Sequence, residues 1–159
     1  MIYQEDLNKA LAQKKTNKKL VRKMSSLHPN LLDSIFREQH DTVFEDIDCL
    51  SCANCCKTTS PIFRDIDIKR LSNHLKITER EFIESYLKVD HEGDFVLQSA
   101  PCPFLLDDHK CEVYEQRPLA CKEYPHTNRK KMHQILNLTR KNTEICPAVA
   151  RIFNNIKLA

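Results

Sequence analysis

The sequence predicts a mostly α-helical fold with short β-strands. Three observations support this fold class. Apolar residues recur at helical spacing in several segments, Thr78 begins a recognisable helix, and "GDFVLQ" has the character of a short strand. With 159 residues, the chain fits one domain or a domain with an extension.

The N-terminal segment is basic and predicts an exposed helix. Residues 1–26 carry seven Lys/Arg and two acidic residues, a net charge of +5, whereas the rest of the chain has a net charge of −2. Leu7, Leu11, Leu20 and Val21 give it only a thin apolar stripe. We interpret residues 1–44 as a basic helical extension. It could bind an acidic protein partner, while the lack of interleaved aromatic residues disfavours nucleic acid.

Three further helices are predicted in the first two thirds of the chain. One begins near Asn30 and one lies within "PIFRDIDIKRLSNHL", because apolar residues repeat there every three or four positions. The third begins at Thr78, which can form a capping box with Glu81.

The C-terminal third predicts a further short strand and a helix. "MHQILNL" is interpreted as the strand. "CPAVARIFNNI" predicts a helix with Pro147 in its first turn, where a missing backbone N–H costs nothing. The residues expected to face the core are Val149, Ile152, Phe153 and Ile156.

Composition excludes several classes of function. Gly93 is the only glycine, so the glycine-rich loops that cradle nucleotides are excluded. The first residues lack a signal-peptide pattern and no apolar run is long enough to span a membrane, which predicts a cytoplasmic protein without membrane attachment. No catalytic constellation is visible, so we assign no catalytic residue. We do not expect the protein to be an enzyme by itself, although the sequence alone does not decide whether it is one.

The eight cysteines are the residues that say most about the function of the protein. A reducing cytoplasm disfavours disulfides, so such a dense set of thiols favours metal binding. Residues 45–159 are therefore interpreted as a small, irregular domain that metal stabilises. Zinc, iron or an iron–sulfur cluster would each suit thiolate ligands. The candidate ligands are Cys49, Cys52, Cys55, Cys56, Cys102, Cys111, Cys121 and Cys146.

Basic residues near the thiols would compensate their negative charge. Arg117 lies between Cys111 and Cys121 and could donate hydrogen bonds to sulfur or carbonyl groups beside a metal. An ordinary salt bridge with Glu112 or Glu115 is the alternative.

The segments "CLSCANCC" and "PCPFLLDDHKCEVYEQRPLACKEYP" resemble the YkgJ-type cysteine-cluster family, a zinc- or iron-chelating domain. The resemblance covers about residues 45–150 and includes Arg117–Pro118 and Tyr124–Pro125. Ala53 stands where members often carry glycine, which affects the local turn. A related cysteine pattern in flagellin lysine methylases implies an alternative function, as an iron–sulfur component of redox chemistry or protein methylation. A thiol–disulfide enzyme is the least favoured class, because eight thiols exceed its need.

Spacing predicts how the eight thiols divide. Cys49, Cys52 and Cys55 recur every three residues and can converge on one centre, completed by one cysteine of the second half. Cys56 directly follows Cys55, points elsewhere and would join the remaining three. Separate sites in each half, or one polynuclear cluster, remain alternatives. In each case we expect the fold to depend on metal.

Overall fold

The computed structural model describes residues 3–158 and confirms a mostly helical fold with a two-stranded sheet. The chain forms two compact units: unit 1 comprises Met1–Cys52 and Pro125–Ala159, and unit 2 comprises Ala53–Tyr124. The predicted boundary after residue 44 stays a prediction. None of the helices in residues 3–158 combines the length and apolar character that a membrane crossing requires.

Unit 1 is built from helices. The predicted basic helix is present as two helices that meet at Gln13, and its acidic partner stays a prediction. The helices of this unit are α1 (Gln4–Ala12), α2 (Lys14–Ser25), α3 (Pro29–Phe44), α4 (Cys49–Cys52), α9 (Leu136–Asn142) and α10 (Pro147–Asn155).

Helix α10 is the centre of unit 1, and its predicted form is confirmed. Pro147 occupies the first turn, and all four residues predicted to face the core are buried. Helices α1 and α3 pack on α10. Phe36 of α3 meets Phe153 edge to face, with ring centroids 6.3 Å apart. Arg151 also pairs with Asp6 of α1 through two hydrogen bonds of 3.0 and 2.7 Å.

Unit 2 packs two helices and a hairpin around an aromatic core. Phe82 lies between Phe63 and Phe104, with ring centroids 6.0 and 6.3 Å away. The predicted capping box is confirmed: the Thr78 hydroxyl accepts from Glu81 N, and the Glu81 carboxylate accepts from Thr78 N. The elements of this unit are α5 (Asn54–Thr58), α6 (Asp65–Leu75), α7 (Glu79–Tyr86), β1 (Leu87–Val89), β2 (Phe95–Leu97) and α8 (Leu119–Glu123).

The strand predicted within "GDFVLQ" is present as β2, which pairs antiparallel with β1 in the register Leu87–Leu97. The strand predicted within "MHQILNL" is wrong. Residues Met132–Gln134 form a 3-10 turn and α9 follows. Met132, Leu136 and Thr139 are buried at spacings of four and three, which is helical. The Asp33 carboxylate also accepts from Lys131 N and Met132 N and so fixes the turn.

Ala53 adopts a left-handed backbone conformation, with φ of 50° and ψ of 14°, at the start of α5. A Cβ atom strains this region by about 1–2 kcal/mol, and glycine removes the strain. This left-handed conformation is a physical reason for glycine at the position that Ala53 occupies.

We expect Ala53→Gly to stabilise the protein by about 0.5–1 kcal/mol, because relief of backbone strain exceeds the extra entropy of the unfolded chain. Chemical denaturation measures the change. Ala12→Gly is the matched control, since Ala12 lies in the regular helix α1 and should lose about 1 kcal/mol. A destabilised Ala53→Gly protein would contradict the strain argument.

Candidate metal centre

Unit 2 brings together cysteines from three separate segments. Cys55 and Cys56 lie on α5, Cys102 and Cys111 flank a loop after β2, and Cys121 lies on α8. Cys102 N donates to Cys56 O at 2.7 Å, so the backbone itself joins the first two segments. All five side chains are partly buried.

The loop between Cys102 and Cys111 is a tight, hydrogen-bonded structure. Leu106 N donates to Lys110 O and Glu112 N donates to Phe104 O, both at 2.8 Å. Phe104 belongs to the buried aromatic core and holds one side of the loop in place. The two thiols therefore lie at the closed base of a loop rather than on a flexible chain.

Four of these thiols lie within electrostatic reach of one another. Burial, together with negative charge on Cys56 and Cys111, raises the pKa of Cys102 to about 11. Burial also raises the pKa of Cys121 to about 12, with added repulsion from Cys56, Cys102 and Cys111. The pKa of Cys111 is raised by burial and by Cys56. We call Cys56, Cys102, Cys111 and Cys121 the unit 2 thiol set.

Cys56 is the member whose ionisation is favoured. A hydrogen bond from the Cys55 thiol lowers the pKa of Cys56 to about 7, against the effect of burial and with help from Arg117. Cys55 is therefore linked to the unit 2 thiol set by its hydrogen bond to Cys56. Cys56 lies within electrostatic range of Cys102, Cys111 and Cys121, and its grouping with them as metal ligands stays a prediction.

Arg117 supplies positive charge to the unit 2 thiol set. Its charge lowers the pKa values of Cys56, Cys111 and Cys121. Its Nε donates to Tyr114 O at 2.9 Å, and its guanidinium lies 3.8 Å from the Tyr114 ring centre. Within residues 3–158, the alternative ion pair with Glu112 or Glu115 is not formed, so the charge stays available to sulfur.

Asp67 hydrogen-bonds the residues that support the segment of Arg117 and Cys121. The sequence did not single out Asp67 as a functional residue. Its side chain has no exposed surface and accepts from Arg64 Nε, Arg64 Nη2, Arg70 Nη2 and Leu119 N. Arg70 Nη2 also donates to Arg117 O at 2.8 Å. Asp67 and Arg70 therefore fix the segment that carries Arg117 and leads to Cys121. The sequence did contain one sign of this ion-pair network: arginines lie three residues before and three residues after the aspartate in a predicted helix.

The donor set fits a soft metal, because zinc and iron–sulfur clusters both take thiolate ligands. In residues 3–158, the trio of ligand atoms found within 4.8 Å of one another belongs to Asp90, Glu92 and Asp94, not to the unit 2 thiol set. Four thiolates bind one zinc ion through Zn–S bonds of about 2.3 Å, whereas an iron–sulfur cluster places several atoms between its thiolates.

The acidic trio is explained by the turn between β1 and β2. The Asp90 carboxylate accepts from Glu92 N at 2.9 Å and from Asp94 N at 3.0 Å. Gly93 in this turn has φ of 85°. The three acidic side chains are adjacent because the turn is tight.

Unit 1 contains a second group of thiols. Cys49 and Cys52 lie one helical turn apart on α4, and Cys146 immediately precedes α10. Burial, together with negative charge on Cys49 and Cys52, raises the pKa of Cys146 to about 12. These three thiols therefore lie near one another. The predicted grouping of Cys55 with Cys49 and Cys52 rests on their sequence spacing and stays a prediction.

Comparison with known proteins identifies the family to which the chain belongs. The family model CxxCxxCC, described as "Putative zinc- or iron-chelating domain", matches residues 48–147. The chain belongs to this family. All eight cysteines lie within the matched residues. No curated protein and no solved structure matches the chain.

We expect Asp67→Asn to destabilise the protein by about 2–4 kcal/mol, because buried, charge-assisted hydrogen bonds to both arginines are lost. The hydrogen bonds of Asp67 outweigh its burial and hold its pKa well below the usual 3.8. The ionised carboxylate therefore stabilises the fold above about pH 4, and this stabilisation is lost as the pH falls.

Urea denaturation between about pH 6 and pH 2 measures this effect. The unfolding free energy of the variant should fall less steeply with acid than that of the natural protein. Asp65→Asn is the control, because Asp65 is exposed on the same helix. Equal acid sensitivity of the natural protein and Asp67→Asn would show that Asp67 does not stabilise this segment.

Proposed function

We propose that the protein binds metal through its eight cysteines, in two centres. The observation that carries the proposal is the convergence of Cys56, Cys102, Cys111 and Cys121 from three segments of unit 2. Four partly buried thiols beside an arginine form a poor apolar core and a good ligand set. A cation relieves the repulsion that their ionisation would create.

A mixed division of the thiols is supported over one centre in each half of the sequence. Cys56 of the first cysteine run lies near three thiols of the second half, while Cys146 lies near Cys49 and Cys52. The first group is the ligand set of one centre, and Cys49, Cys52 and Cys146 belong to the other. The eighth cysteine, Cys55, is predicted from its sequence spacing to complete that second group.

An iron–sulfur cluster is the form that we propose for the unit 2 centre, with zinc as the alternative. The wide spacing of its sulfur atoms supports this choice. The Cys56, Cys102, Cys111 and Cys121 thiolates would hold the cluster, and Arg117 would balance part of its negative charge. Such a cluster supplies one-electron chemistry. A reducing, cytoplasmic location follows from the proposal, because the thiols must stay reduced.

Metal, iron and acid-labile sulfide contents of protein purified anaerobically without added metal test the proposal. We expect iron with sulfide and a broad absorbance near about 400 nm. Zinc without colour would support metal binding and contradict the cluster. Protein that is fully folded, reduced and free of both metals would contradict metal binding itself.

Paired cysteine variants test the division. Cys56→Ser should lower the metal content by one centre and leave the other formed, and Cys146→Ser should remove only that other centre. Either variant should retain about half of the metal. If each empties both centres, the thiols serve one coupled cluster and the two-centre division is wrong.

A further inference from the structure

Unit 1 contains a cavity of about 240 Å³ that is distinct from the cysteines. It lies between α2 and the chain that follows α10. All of its lining residues fall outside residues 48–147, so the family match does not account for it. The residues that matter here are Asn17, Lys19, Lys23, Phe153, Ile156 and Lys157.

Asn17 is the most informative lining residue. It is only 4% exposed and shares the buried face of α2 with Leu20 and Met24, where an apolar residue would be expected. Its side chain makes no hydrogen bond to any other residue between 3 and 158. Its polar atoms are not fully enclosed, so they can reach solvent or a ligand. The cavity is where this side chain can find a partner.

The charge of the cavity is uniformly positive. Lys19, Lys23 and Lys157 line it, and no carboxylate side chain does. Lys23 Nζ donates to Leu158 O at 3.3 Å, which holds its ammonium group near the cavity. In the part of the chain that the structure describes, these three lysines form no ion pair. Among residues 3–158, an anion in the cavity would therefore meet three positive charges that no acidic side chain pairs with.

The cavity also has apolar lining residues. Leu20, Phe153 and Ile156 line it, and all three are buried. An inorganic anion alone would leave these side chains without a contact. A volume of about 240 Å³ is smaller than the roughly 300–1,000 Å³ of pockets for drug-sized ligands, so it suits a small organic molecule.

We propose that this cavity binds a small amphipathic anion, with a phosphate or carboxylate group on the lysines and an apolar body against Phe153 and Ile156. Asn17 hydrogen-bonds the polar end of the ligand. The site requires no metal, so it stands or falls independently of the cysteine centres.

Titration of the full-length protein with phenyl phosphate, followed by amide NMR, tests the proposal. We expect saturable shifts in residues 13–23 and 153–158. Inorganic phosphate and phenol each lack one half of the required chemistry, so each should bind at least about tenfold more weakly. Benzoate distinguishes the head group: tighter binding of benzoate indicates a carboxylate ligand, and tighter binding of phenyl phosphate indicates a phosphate ester.

Two variants with the same change of charge on the same helix provide the matched control. Lys19→Gln/Lys23→Gln should weaken phenyl phosphate binding by about tenfold or more. Lys15→Gln/Lys18→Gln should leave it within about twofold, because these exposed lysines lie outside the cavity. Asn17→Leu should weaken phenyl phosphate binding by about tenfold or more, since it removes the amide that hydrogen-bonds the polar end of the ligand.

Three results would overturn the proposal. One is the absence of saturable shifts in the cavity residues with both phenyl phosphate and benzoate. Another is equal weakening by the two double-lysine variants, which would show a diffuse charge effect. The third is inorganic phosphate binding as tightly as phenyl phosphate, which would leave the apolar side without a role.

Discussion

The closeness of four partly buried thiols is the constraint on which the architecture of unit 2 depends. As neutral groups they add little to a core, and as thiolates they repel one another at short range in a poorly solvated site. Under the proposed function, a bound cation would resolve both difficulties. It would also link Cys102, Cys111 and Cys121, which lie in short segments, to Cys56 on α5.

The surrounding residues serve this arrangement at two distances. Arg117 lies within electrostatic range of the sulfur atoms and lowers the pKa values of three thiols. Asp67 and Arg70 hydrogen-bond the backbone at Leu119 and Arg117. The aromatic core around Phe82 supports the loop that carries Cys102 and Cys111, because Phe104 belongs to both. Cys102 and Cys111 also pack against this core, so the thiol set lies beside it.

The sequence predicted the elements whose signals are local. The capping box at Thr78 and the helix after Cys146 were recognisable because each depends on residues within one or two turns. The 3-10 turn at Met132 was missed because it depends on Asp33, which is about a hundred residues away in sequence. The candidate thiol ligands could be listed from their number and spacing, and their role as ligands stays a prediction. The full role of Asp67 could not be predicted. Leu119, which donates to Asp67, and Arg117, whose carbonyl accepts from Arg70, are brought to this helix only by the fold.

Hydrogen exchange measured before and after removal of metal tests the central claim most directly. The account predicts that a strong chelator under reducing conditions accelerates exchange of the amides of Cys102, Glu112 and Cys121 by about a hundredfold or more, and lowers the melting temperature by many degrees. The buried amides of α10, remote in sequence from these loops, provide the internal reference. Unchanged exchange at all three amides and an unchanged melting temperature, in protein shown to have lost its metal, would contradict the account.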